Sequence, residues 1–121
     1  MRSLLTISLL LLCTQPQAES LSLLISRLPL AGSQYHALER VWDEIRPGDA
    51  LSLVREPRHP HDGNAIRVDW HGHPIGYIPR RRNQALATAM DAGMPLNARV
   101  EQVRQHRDPW QRMELAVFAN L

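Results

Sequence analysis

The residues best equipped for chemistry lie between Arg55 and Val68, in the order Arg-Glu-Pro-Arg-His-Pro-His-Asp-Gly-Asn-Ala-Ile-Arg-Val. Pro57 and Pro60 fix φ and remove two backbone donors, so this run cannot lie inside a sheet. Asp62-Gly63-Asn64 is turn chemistry. His59, His61, Asp62 and Asn64 are therefore expected to project from a stiff loop, where a small β domain places a binding site. A second arrangement is open to the histidines. His59 and His61 could converge with His71 and His73 on zinc or copper, held as neutral imidazoles at fixed geometry, although the spacing fits no specific zinc template. His61-Asp62 could form an acid–base couple, but no partner nucleophile stands out, and the chain has neither a Walker loop nor a nucleophile elbow. No enzyme is expected.

The same block, followed by Gly76-Tyr77-Ile78-Pro79-Arg80, resembles the HIRAN domain. That module occurs as the N-terminal DNA-binding part of certain SNF2-type DNA translocases and as a free-standing bacterial protein. The resemblance extends, more loosely, from Leu21 to Leu121. It implies an OB-like β-barrel with helical insertions and a pocket for the free 3′ end of single-stranded DNA. In the family, aromatic groups stack on the terminal bases, and an acid in the proline-flanked loop accepts a hydrogen bond from the 3′ hydroxyl. By resemblance Asp62 takes the place of that acid and Tyr35 that of a stacking tyrosine. His61 falls where better-known members carry a second tyrosine; imidazole still stacks, with less area and a charge that titrates near neutrality. A carboxylate favours a hydroxyl donor and repels a terminal phosphate, so it reads an end rather than an interior. Arg55, Arg58 and Arg80 are the expected phosphate partners, with affinity falling as salt rises. Trp110 offers a further stacking surface that closes the pocket. The resulting expectation is a non-enzymatic binding module whose partner is a single-stranded nucleic-acid end, with no cofactor.

Plainer roles are open to several of these residues. Asp62 can accept backbone N–H groups of its own turn, which need not exclude a ligand, and Asn64 reads as a turn former. Tyr77, Trp42 and Trp70 read as core packing, and Arg80-Arg81-Arg82 as a solvated run at a helix start.

Charge and targeting narrow the setting. Met1-Arg2, an apolar stretch from Leu4 to Leu12 and a polar run ending in Gln17-Ala18-Glu19 have the layout of a secretory signal peptide over residues 1–18. The stretch is far shorter than the ~20 residues that span a bilayer, so no stable membrane span is expected. Cys13 is the single cysteine, and Leu12 before it argues against lipoprotein processing. The mature chain, residues 19–121, would then be a monomeric exported domain without disulfide or thiolate chemistry. Every basic residue is arginine, and the formal net charge of the whole chain is only +2. Bulk charge therefore does not argue for nucleic acid; its distribution decides. Export also opens an alternative, a periplasmic protein-interaction or structural domain that has lost DNA binding.

The elements that must position the loop are short. Leu21 to Leu28, Leu51 to Val54, Asn64 to Trp70, Pro74 to Ile78, Asn97 to Gln105 and Arg112 to Asn120 have strand character, with His71-Gly72-His73 as a hairpin tip. Gln34-Tyr35-His36 reads as the start of a further strand, and Val41 to Ile45 is ambiguous. Arg80 to Gly93 reads as a single helix stopped by Gly93 and Pro95. This pattern predicts a mostly β fold with one or two helices, curled into a small OB-like barrel that hides its own edges.

Overall fold

A computed structural model describes residues 21–121. The signal peptide expected over residues 1–18, Cys13 included, lies outside them. Six strands, β1 (Ser22–Pro29), β2 (Ala50–Arg55), β3 (Ile66–Trp70), β4 (His73–Tyr77), β5 (Leu96–Val103) and β6 (Met113–Asn120), accompany two helices, α1 (Leu38–Val41) and α2 (Gln84–Asp91). Every strand pairing is antiparallel, in the spatial order β1-β6-β5-β2-β3-β4. Register shifts at Leu24/Ser26, Val68/Asp69 and Val100/Gln102 mark bulges or irregularities, the local devices that bend and twist a sheet until it curls.

The curl brings the first and last strands of that order together. Just past β1, Ala31 forms an isolated bridge to Tyr77 at the end of β4, with both N–H···O bonds at 2.9 Å. The ladder is thus not closed along its length but tied at one residue pair, giving the expected OB-like, barrel-like fold. Gly76 permits the tie: a Cβ there would lie 2.6 Å from the Ala31 carbonyl oxygen and 2.8 Å from the Leu30 side chain. The core inside the curl includes Leu28, Leu30, Ile66, Val68, Ile75, Val100, Leu115 and Val117, with Leu38 of α1 and Leu86 of α2 closing over it. Trp70 is buried as expected and donates its indole N–H to Asp49 Oδ2 at 3.0 Å. No helix among the described residues is long and apolar enough to cross a membrane.

The structure corrects two local expectations and settles an ambiguous one. Gln34 and Tyr35 do not begin a strand; Gly32, at φ 68°, sends the chain into a 3-10 turn at Ser33–Tyr35. The Ala31 bridge has ended the sheet at this point, so no neighbour remains for a further strand. Val41 to Ile45 is mostly helical, α1 running into a second 3-10 turn at Trp42–Glu44. Arg80 to Gly93 is not one helix: Arg80–Arg82 is a 3-10 turn, and α2 starts only at Gln84. Asn83, between the two, is 2% exposed and turns its side chain toward the proline loop instead of capping α2.

Candidate functional site

The loop joining β2 to β3 is three turns laid end to end. His59 N–H donates to the Glu56 carbonyl, Asp62 N–H to that of His59, and Ala65 N–H to that of Asp62. Glu56 N–H then donates to the Ala65 carbonyl at 2.9 Å and closes the loop at its base. Pro57 and Pro60 fit because neither supplies a donor to this series. Arg55 braces the loop from beneath. Its guanidinium donates to the carbonyls of Ala65 (3.0 Å) and Gly63 (2.8 Å), and it grips both carboxylate oxygens of Asp91 on α2 at 3.0 and 3.2 Å. The structure therefore gives Arg55, expected to meet phosphate, a bracing role that occupies all three guanidinium nitrogens.

Asp62 is half-buried at the far end of the loop. Oδ1 accepts the Asn64 N–H at 2.9 Å, and Oδ2 accepts the Asn83 amide at 2.7 Å. Partial burial pushes its carboxyl upward, but those two bonds, with the charges of Arg80 and His59, outweigh it and hold it below the usual carboxylate range. The group is ionised at neutral pH and fixed in orientation. A carboxylate has roughly four acceptor positions, so two remain for a donor from outside.

Aromatic rings lie along one side of this loop. The Tyr77 ring is 5.4 Å from that of His59 and 5.3 Å from that of His36, and His59 in turn lies 5.9 Å from His61. Tyr77, expected as core packing, is only half-buried and links the barrel seam to this row. Its hydroxyl donates to Glu56, which also accepts from Arg67 at 3.0 Å, while Arg67 grips Asp69 at 2.8 and 3.0 Å. Burial and the adjacent Glu56 carboxylate push the Tyr77 hydroxyl up to about 12. Tyr35, 81% exposed, adjoins His36 at the edge of the row. Its 3-10 turn packs on another at Pro109–Gln111, which carries the exposed Trp110. Arg58 lines a shallow cleft of about 390 Å³ with Glu56, Pro57, His59 and Pro60. Arg80 is exposed beside Asp62.

The four-histidine metal alternative does not assemble. His71 and His73 lie over the Trp70 ring at 4.2 and 6.3 Å, on the β3–β4 hairpin tip, while His59 packs on Tyr77 and His61. Among the described residues no group of three or more His, Cys, Asp or Glu could hold a metal ion. Sequence reasoning missed Asn83, Glu56 and His36. An asparagine after three arginines at a helix start carries the signal of a cap, and nothing in its spacing points to Asp62 twenty-one residues away.

The HIRAN domain model matches residues 25–121. The chain belongs to the HIRAN family. Two solved structures share the fold of this HIRAN domain. A protein from Lactobacillus plantarum is 30% identical, with a TM-score of 0.74 over 84% of this chain and 97% of that one. The HIRAN domain of human HLTF is 21% identical, with a TM-score of 0.61 over 82% of this chain and 78% of that one. No curated protein matches.

Proposed function

We propose that this HIRAN domain binds the 3′ end of a single-stranded nucleic acid and catalyses no reaction on it. The observation that carries the reading is Asp62: ionised, oriented by Asn64 and Asn83, and left with acceptor capacity at the mouth of a rigid loop. Such a group accepts a hydrogen bond from a hydroxyl and repels a phosphate. Stacking surfaces for the last bases come from His61, His59 and Tyr35, with Trp110 farther along. Arg58 and Arg80, both exposed near the loop, would pair with backbone phosphates. Membership of a DNA-binding module family supports the same reading.

The test compares fluorescent oligonucleotides ending in a 3′ hydroxyl or a 3′ phosphate. Tighter binding of the hydroxyl form, lost in Asp62→Ala, is the expected result. Equal binding of the two forms by the unaltered protein would overturn the end-reading role. We also propose export, with cleavage after Ala18, which an intact mass of the protein recovered from a bacterial periplasm checks directly. Export would make the ligand an extracytoplasmic nucleic acid.

One observation favours the runner-up, an exported protein-interaction domain: Leu21, Leu23 and Ile25 are exposed at the start of the edge strand β1. Salt separates the two readings. A nucleic-acid complex weakens steeply as salt rises, and an apolar protein contact changes little.

A further inference from the structure

A concavity larger than the cleft at the proline loop lies away from Asp62. It is an open groove of about 550 Å³ between α1 and the loop 104–112, floored by Leu38 and Trp42 and flanked by Arg107. A neighbouring hollow of about 420 Å³ shares Trp42 and Gln105 with it and reaches Arg46 and Arg104. Arg104 also lines a third hollow with Trp110, and Trp110 lines a fourth with Arg81 and Arg82. Each hollow shares lining residues with the next, so together they trace an interrupted furrow. It starts at the 3-10 turn Arg80–Arg82, beside Asp62, and passes Trp110, Arg104 and Trp42 to end at Arg107.

Charge singles out the same path. The two hollows that share Trp42 are lined by four arginines against two acids, Glu39 and Asp43. The lining of these two hollows thus carries a formal excess of +2. Trp42 packs on the core only in part and so keeps exposed surface in the groove. Arginine alternating with an indole is the arrangement that holds unpaired bases by stacking and backbone phosphates by charge.

We infer that the furrow is a track for the single strand leading away from the bound end, with Trp110 and Trp42 as successive stacking platforms. This rests on the end-binding reading and extends it, since it makes the ligand a strand several nucleotides long. Arg112 shapes the rim: it donates to the His106 carbonyl at 2.8 Å and pairs with Glu39 at 3.6 Å. Arg107 is exposed, so reversing its charge leaves the fold intact.

The experiment measures binding of the full chain to 3′-hydroxyl and 3′-phosphate oligonucleotides of about four and about sixteen nucleotides, spanning the usual site sizes of OB folds. The longer strand should bind more tightly. Trp42→Ala should weaken the longer strand roughly 5- to 150-fold, the usual yield of one stacked base. Arg107→Glu, which does not touch the core, should weaken the same strand and reduce its salt dependence, while both variants leave the short strand unchanged. Equal affinity at both lengths with hydroxyl preference intact overturns the track alone. Length dependence without hydroxyl preference overturns end-reading and leaves the track. No binding of any strand overturns both, and a length effect that survives both variants overturns this route.

Discussion

Asp62 is at once a structural acceptor and the proposed recognition group, and Asn83 is what lets one carboxylate serve both purposes. Asn83→Ala would leave Oδ2 unanchored and remove a nearly buried amide; the expected loss of stability is about 1–3 kcal/mol. Chemical denaturation reads that loss, and the ratio of 3′-hydroxyl to 3′-phosphate affinity should fall in the same variant. The protonation equilibria of the site pull in opposite directions. Asp62 titrates below an ordinary aspartate, so the stability it contributes is present above the unfolded value of about 3.9 and lost as pH falls through the folded value. Acid unfolding of Asp62→Asn should accordingly be less steep below about pH 4. Tyr77 is raised to about 12, so the unfolded chain releases this proton first. Stability should drop between about pH 10 and about pH 12, and Tyr77→Phe should remove that drop, as thermal melts across that range would show. At this scale the sequence was half legible. A carboxylate in a proline-stiffened turn declares itself, whereas its partner Asn83 is joined to it only by the folded chain.

The proline loop behaves as an element in its own right because Arg55 ties its base to α2. Arg55→Ala would remove a donor from the Gly63 carbonyl and one of the two that the Ala65 carbonyl accepts, at an expected cost of about 0.5–1.5 kcal/mol per bond. Limited proteolysis should then cut between residues 56 and 65 in the variant before it cuts the parent. Gly76→Ala tests the seam. Its Cβ would press on the Ala31 carbonyl oxygen and Leu30, and such overpacking costs about 1–3 kcal/mol. For a domain of this size each kcal/mol lowers Tm by about 4–8 °C. Strands β2, β3 and β6 were legible because alternating side chains report a half-buried sheet directly. The turn at Tyr35 was not, since its cause is the Ala31 bridge, a contact between distant parts of the chain. Arg80 to Gly93 misled for a related reason: Asn83 spends its side chain on Asp62, and the helix begins after it.

Over the whole molecule, the described residues contain no cysteine, so the fold stands on its core and on the single bridge that ties the sheet into a ring. Tyr77 belongs both to that bridge and to the row of rings beside Asp62. Part of the seam is therefore part of the aromatic row beside the loop. The bridge itself holds two backbone hydrogen bonds, with a third from the Ala37 N–H to the Pro74 carbonyl at 3.0 Å, far fewer than a full ladder, so the seam is the natural place for sub-global opening. The amide protons of Ala31 and Tyr77 should exchange with deuterium sooner than those of Val68 or Leu115. A strand end stacked on His59, whose ring packs on Tyr77, would hold the seam closed. Bound oligonucleotide should therefore slow exchange at Ala31, a residue proposed here to make no contact with it, and the domain would report its occupancy through the latch of its own barrel.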